Sequence, residues 1–350
     1  DRQTAALQPA GNGTRFAYWD AKQNATSNCP GAKSAPQAGL AKTVTTPGAD
    51  GGSGPSSTSW YDSAGRVVAV AASDGATTCT TYDVGGRVTS VAVLGGKERR
   101  VATNDYAVNG NPLVTSVTEH LGDRTVTSTT EVDLLGRAVR STDTWGTTQT
   151  TEYDRTTGNP SRVTTTPPNS APIVETMTYE PAGRQLTYSI DGRLMTQFAY
   201  NAIGEFSTLQ YGNGMSLTYT YDSSDRIVGL AWKTTDGHTV ATRRTLDRSG
   251  RALGAQWSLD DVVSNASYTY DQSRRLAKVD LTAGLTSAHG WTYAYDANSN
   301  RTSSSFDGAV TTSTYDGADR LVSSSDPKIG TPQYDSRFNM TALGADRFTY

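Results

Sequence analysis

The residues able to do chemistry in this chain recur in one setting. A Tyr is followed by Asp, a Gly stands four residues after the Tyr, and an Arg often follows the Gly. The copies are Tyr61 and Asp62 with Gly65 and Arg66, Tyr82 and Asp83 with Gly86 and Arg87, and Tyr153 and Asp154 with Gly158 one residue later. They continue with Tyr179 and Glu180 before Gly183 and Arg184, Tyr221 and Asp222 before Arg226, and Tyr270 and Asp271 before Arg275. Tyr295 and Asp296, Tyr315 and Asp316 with Arg320, and Tyr334 and Asp335 close the series. A carboxylate on a turn can cap backbone amides, pair with the nearby Arg, or offer oxygen to calcium. Calcium takes about six or more oxygens, so one carboxylate per turn falls short unless turns converge. Capping with an Asp to Arg pair is the reading taken here.

Other chemistry is sparse. His120, His238 and His289 are the only histidines, and spacing gives none of them a partner. Gly-x-Ser-x-Gly, His-Glu-x-x-His and phosphate-loop patterns are absent, so no catalytic, cofactor or metal residue is expected. The two cysteines, Cys29 and Cys79, are too few for a disulfide framework; one bridge between them and two free thiols both fit. Trp60, Trp145, Trp232, Trp257 and Trp291 can stack on a sugar or a partner protein, or pack on neighbouring strands of their own sheet.

The elements that must hold these turns are strands. Tyr219 and Tyr221 alternate with threonines, and Asp222 to Asp225 form a turn before a new strand at Ile227. A second kind of turn lies between successive Tyr-Asp turns, at Asp191-Gly192, Gly212 to Gly214, Asp236-Gly237 and Asp307-Gly308. Each repeat therefore supplies two antiparallel strands and two turns. Counting degenerate copies at Tyr106, Val132-Asp133 and Leu246-Asp247, neighbours lie 19 to 26 residues apart, the spacing of a repeat architecture. Alternation along Leu217, Tyr219 and Tyr221, and along Trp291, Tyr293 and Tyr295, predicts one apolar face and one polar face. An array of this width is expected to curl.

Two regions fall outside the pattern. Residues 1–59 form an irregular N-terminal region in which Phe16 to Asn24 reads as a repeat with an insertion, and Pro47 to Pro55 as a flexible Gly/Ser/Pro-rich loop; residues 60–350 are the array. Thr164 to Pro172 reads as a strand-to-strand loop.

The chain has 350 residues, 35% of them hydrophobic, and a net charge of -3. Hydrophobic content this low suits a one-layer wall better than a dense core. A pI near 5.7, with Arg99-Arg100, Arg243-Arg244 and Arg274-Arg275 as isolated pairs, speaks against nucleic acid as a partner. No apolar run approaches the roughly 20 residues of a membrane span. The N-terminus reads as lacking a basic and apolar leader. The end at Phe348-Thr349-Tyr350 reads as another repeat opening, so a longer polypeptide is expected.

The repeated phrase, plainest at Ser59 to Val67, Thr218 to Ile227 and Ser267 to Leu276, resembles the YD-repeat or RHS-repeat family, and the resemblance covers nearly the whole chain. It implies an all-β array of hairpins forming a curled or spiralling sheet, as in bacterial RHS and Tc-type toxins, where a shell encloses a C-terminal toxic domain, and in animal teneurins, where a similar shell serves adhesion. It also implies a non-catalytic shell segment from a secreted or cell-surface bacterial protein, with a toxin or effector cargo in the same polypeptide. The alternative is an adhesin or module binding a surface glycan or protein; an enzyme is the remaining one. The Asp-Pro-x-Gly signature of the self-cleaving region found in many bacterial shells is missing, since Asp326-Pro327-Lys328-Ile329-Gly330 resembles it only superficially.

Overall fold

The computed structural model describes residues 2–95, 100–282, 284 and 287–349. Arg99 and Tyr350, used above, lie outside them. Among the described residues the chain is all-β, with one short 3-10 turn at Val108–Gly110 and no α-helix. The described pairings are antiparallel, and nearly all join strands consecutive in the chain. The chain forms two compact units, one of residues 1–129, 294–304 and 310–350, the other of residues 130–293 and 305–309.

In the first unit a meander runs from Ala5–Leu7 through Gly13–Tyr18, Ala41–Pro47, Ser53–Tyr61, Val67–Ala72, Thr77–Tyr82, Val88–Leu94 and Arg100–Asp105 to Val114–Leu121. The second unit repeats the plan from Ala138–Thr142 to His289–Tyr293 of the strand His289–Tyr295. Val, Thr, Tyr and Trp fill these strands because branched and aromatic side chains suit a pleated surface.

Among the described pairings, the Tyr of nearly every full repeat sits at a slip in the register. Thr220 pairs with Gly229, but Tyr221 pairs with Ile227; Thr81 pairs with Ser90, but Tyr82 with Val88. One extra residue is accommodated there, bending the strand and increasing its local twist, as a β-bulge does. The same slip occurs at Tyr18, which pairs with Ala41. In place of a short turn, residues 19–40 are looped out between them, with a small ladder of Asn24–Ala25 against Ala35–Pro36.

That insertion is the most buried part of the first unit. Trp19 is buried and its Nε1 donates to the Ser59 carbonyl at 2.8 Å. Gln37 is fully buried: its amide nitrogen donates to the carbonyls of Ala35 and Tyr61, and its Oε1 accepts the Tyr61 amide at 3.0 Å. A side chain thus satisfies backbone groups that an adjoining strand would otherwise pair, as buried polar groups require. Cys29, also in the insertion, is disulfide-bonded to Cys79 of the strand Thr77–Tyr82. Of the two readings open for the cysteines, the bridge is the one realised.

Two loop expectations are corrected. Pro47 to Pro55 is a short hairpin turn rather than a loop: Pro47 pairs with Ser53, the Gly48 amide donates to the Gly52 carbonyl, Asp50 caps the Gly52 amide at 2.9 Å, and Ser53–Tyr61 starts immediately. The loop expected over Thr164 to Pro172 is shorter, because within Pro160–Thr166 Thr164 and Thr165 pair with strands on both sides and Thr166 pairs with Thr148. Only residues 167–172, where three prolines withhold donors, leave the ladder.

Few side chains are more than nine-tenths buried, Ala69, Leu217, Val228 and Ala266 among them. With so little packed core, a covalent closure carries unusual weight. The bridge spans 50 residues, and replacing Cys29 and Cys79 with Ser is expected to remove about 2–4 kcal/mol of stability. Urea unfolding should show this as a lowered midpoint, and reductant should reproduce it in the unaltered protein.

Candidate functional site

The Tyr-Asp turns are the most regular assembly of functional groups. At Asp62, Oδ1 accepts the amides of Ala64 and Arg66 at 2.9 Å, while Oδ2 accepts Arg66 Nε at 2.7 Å. The Asp62 amide donates to the Arg66 carbonyl, and the Gly65 amide to the Asp62 carbonyl. Gly65 takes φ +77, where a Cβ is disfavoured. The Asp83 and Arg87, Asp133 and Arg137, Asp222 and Arg226, Asp247 and Arg251, Asp271 and Arg275, and Asp316 and Arg320 pairs repeat this geometry. Glu180 and Arg184 form the same pair with a longer acid. Where Arg is missing, Asn substitutes: Asn300 donates its backbone and side-chain nitrogens to Asp296, and Asn339 does so to Asp335. Asp154 caps a turn one residue longer, in which Gly158 donates to its carbonyl.

Several repeats lack the Gly, and the left-handed position is then held by Asp225, Arg274, Ser299, Asp319 or Phe338, at φ between 58 and 72. The bonded carboxylate holds the turn closed despite the conformational cost.

Sequence reasoning missed how one turn binds the next. The tyrosine hydroxyl reaches back to the first carbonyl of a strand in the preceding repeat: Tyr82 to Val67 at 2.8 Å, Tyr153 to Ala138 at 2.7 Å, Tyr221 to Phe206 at 2.9 Å, Tyr270 to Ala252 at 2.7 Å. Tyr61, Tyr179, Tyr315 and Tyr334 donate in the same way to Ala41, Pro160, Arg301 and Leu321. The guanidinium of one turn lies over the tyrosine of the next, with Arg66 4.5 Å from the Tyr82 ring centre, Arg137 4.2 Å from Tyr153 and Arg184 4.8 Å from Tyr200. Arg226 also donates to the Asp247 carbonyl at 2.8 Å. The fixed separation of about one repeat was the available signal, since it brings each Tyr opposite the start of the preceding strand pair.

A second assembly, also unforeseen, lies within the first unit. Late Tyr-Asp turns stack on early turns from the opposite strand ends. The Ala10 amide donates to Asn298 Oδ1 at 2.9 Å, and Asn298 donates to Asn12 Oδ1 and to Asp319 Oδ1. Asn12 donates to the Gly317 carbonyl and to Asp319, and the Gly317 amide donates to the Ala49 carbonyl at 2.9 Å. One turn further, Arg337 pairs with Asp74. A Cβ on Gly317 would lie 2.3 Å from the Gly51 nitrogen, so only glycine permits this approach.

The histidines do have partners, contrary to the sequence reading. His238 Nδ1 is 2.7 Å from Asp260 Oδ2, His289 Nδ1 is 2.6 Å from Asp307 Oδ2, and His120 Nδ1 is 2.9 Å from Thr125 Oγ1. Each of these Asp residues opens a tight turn and also caps a backbone amide, of Thr239 or Gly290, on the adjacent strand. Asp191 caps Val174 identically beside Ile173, where no His stands. The pairs therefore belong to a hairpin-end clamp that spacing along the chain does not reveal. His238 is more than half exposed, on a turn rather than in a cleft. Among the described residues no three His, Cys, Asp or Glu groups gather as metal ligands, and no helix is long and apolar enough to cross a membrane.

The second unit carries an aromatic trough on its apolar face. Trp257, Tyr268, Val279, Leu281, Trp291 and Tyr293 line a cavity of about 280 Å³. Leu281 and Trp257 continue with Val240 and Leu259 into one of about 500 Å³. Trp291 lies 5.1 Å from Phe306, and Trp60 pairs with Trp19 at 6.2 Å. Trp232 and Trp257 are half-buried along their strands, while Trp145 is 74% exposed.

The RHS Repeat family model matches the stretch containing the first two full turns, Tyr61 to Asp62 and Tyr82 to Asp83. The match covers residues 61–98. The comparison with curated proteins gave no match. Among solved structures, the crystal structure of TcdB2-TccC3 is similar with a TM-score of 0.57 and 15% identity, over 89% of this chain and 19% of that one. The same protein without its hypervariable C-terminal region gives 0.56, 16%, 90% and 19%. The Photorhabdus luminescens Tc holotoxin pore gives 0.53, 14%, 96% and 21%. At these identities the likeness is one of fold, and this chain spans about a fifth of those chains. The fold shared with those chains thus extends over 89–96% of this chain.

Two tests follow from the turn geometry. Asp316, with its side chain only 11% exposed, accepts three donors; Asp316→Ala is expected to cost about 2 kcal/mol in urea unfolding, since it strands buried donors. Arg274→Gly should instead stabilise by up to about 1 kcal/mol, relieving a left-handed Arg. The pH dependence has two arms. The Arg87 amide and then its guanidinium hold Asp83 below the ordinary carboxylate range, and the Arg226 guanidinium does so for Asp222. Their stabilising effect is full above about pH 3.9 and lost as pH falls through the lower folded values. Asp260 raises His238, so that contribution is full below about pH 6.5 and lost as pH rises through the higher folded value. NMR titration should find His238 titrating above an unstructured His, and acid unfolding should begin only below the usual carboxylate range.

Proposed function

We propose that this chain is a length of wall in an RHS-type shell, non-catalytic, within a larger bacterial polypeptide that is exported or delivered to a cell surface. The shell would enclose or present a toxin or effector domain carried C-terminally in the same polypeptide. The repeat array over residues 60–350, with the irregular region 1–59 before it, is the structural unit of that wall. The observation that carries the reading is the overlay of 89–96% of this chain on about a fifth of the Tc chains, a proportion suited to a segment of an enclosure.

The disposition of functional groups supports it. Asp83 and Asp222, like most carboxylates of the Tyr-Asp turns, are occupied by amides and an Arg guanidinium, and these two are held acidic, whereas general acid or base work at neutral pH needs values near 7. The histidine and aspartate pairs cap hairpin ends. On this reading no cofactor, nucleic acid or membrane span takes part.

A second reading, a module binding a surface glycan or protein, is favoured by one observation: the half-exposed trough of Trp257, Tyr268, Trp291 and Tyr293. Sugars stack on such rings, although this trough offers few polar groups to orient hydroxyls.

The intact mass of the native polypeptide as its producer exports it separates the two. A mass several times 37.2 kDa, with a C-terminal portion that resists protease until the shell is unfolded, is expected for the wall. A mass near 37.2 kDa, together with glycan-array binding lost in Trp257→Ala, would replace the wall with the module.

A further inference from the structure

Residues opposite one another in an antiparallel pair share a face, so the register fixes what surrounds the aromatic trough of the second unit. Its floor is the strand Val262–Tyr270, where Ser264 and Ala266 are small and buried. Trp257 pairs with Ser264, Leu281 with Ala266 and Trp291 with Val279, so large side chains rise from the strands on either side. A groove along one strand results, its cavities of about 280 and 500 Å³ meeting at Trp257 and Leu281.

Charge on that face is confined to two residues. Alternation along Thr239–Leu246, Ala252–Leu259, Val262–Tyr270, Leu276–Leu281 and His289–Tyr295 puts uncharged side chains toward the trough except at Arg244 and His289. His289 is bonded to Asp307. Arg244 is exposed and forms no ion pair among the described residues; its Nη2 reaches only the Ile227 carbonyl, at 3.5 Å, the outer limit of a hydrogen bond. It pairs with Ala255, which pairs with Ala266, so only methyl groups stand between Arg244 and the trough, over two strand spacings of about 5 Å each. The groove therefore has an apolar bed and one unpaired cation at its side.

We propose that the trough binds one long-chain fatty acid, its carboxylate on Arg244 and its acyl chain laid over Ala255, Ala266 and Ser264 between Trp257 and Leu281. Charge complementarity selects this occupant. A guanidinium with free donors grips a carboxylate through two parallel bonds, and a cationic head would be repelled there. A methylene chain gains from every apolar contact and has no polar group to leave unmatched, whereas the hydroxyls of a sugar would lose water over this bed without replacement. The proposal does not depend on the shell reading, and it gives the trough to a lipid in place of a glycan.

Calorimetric titration of the whole chain with dodecanoate, kept below the concentration at which it forms micelles, tests it. One dodecanoate is expected to bind per chain and to change the tryptophan fluorescence. Arg244→Gln, at an exposed position, should weaken binding about tenfold or more without moving the thermal unfolding temperature. Dodecyltrimethylammonium, the same length of chain under the opposite charge, should bind at least about tenfold more weakly than dodecanoate. Trp257→Ala should weaken dodecanoate as well. Absence of saturable dodecanoate binding, equal affinity for the two head groups, or full affinity in Arg244→Gln would each overturn the proposal. So would glycan binding lost in Trp257→Ala by a chain that takes no dodecanoate, which would return the trough to a sugar; none of these outcomes touches the shell reading.

Discussion

A carboxylate gripped by two amides and a guanidinium within five residues is the interaction on which the rest depends. It closes each Tyr-Asp turn, fixes the one-residue slip at the tyrosine, and so sets the register of the strand that follows. It also orients the Arg so that the guanidinium plane is left free to cover the tyrosine of the next repeat. Without it the left-handed residue would be an unsupported cost, most of all at Arg274 and Phe338. One local chelate thereby becomes the connection between neighbours.

Stability in such a sheet is spread along the array. Few of the described side chains are buried; repeats are held by ladder bonds, most also by the tyrosine hydroxyl on the preceding strand and several by cation to ring contact with the next turn. Nearest-neighbour terms of this kind make a quasi-one-dimensional structure, in which damage stays local and length is added cheaply. The first unit departs from this in two places, both involving the ends of the meander. Gln37 and the disulfide anchor the insertion, and the stacked turns from Asn12 to Asp319 bind residues 307 positions apart.

The histidines illustrate how an isolated feature misleads. A His within reach of Asp is the pairing that catalysis uses, yet Asp191 beside Ile173 performs the same backbone capping with no His at all. The aspartate is there for the hairpin end, and the ring adds a second bond to it. The aromatic trough of the second unit, by contrast, has no such structural duty beyond covering its own face.

How far the sequence alone reached follows from the range of the forces involved. Strand and turn order, the all-β class and the turn chemistry at Asp62 or Asp222 were legible because period-2 alternation and a five-residue turn are local and repeated about a dozen times. The loops at 47–55 and 164–172 were misjudged because Gly, Ser, Thr and Pro compositions serve ladders as well as loops, and pairing partners decide between them. The bridge between Cys29 and Cys79, the burial of Gln37, the hydroxyl of Tyr221 on Phe206 and the seat of Gly317 on Gly51 were left to the tertiary structure. Each joins groups whose separation along the chain says nothing of their separation in space, and that distance is set only once the register of every intervening strand is in place.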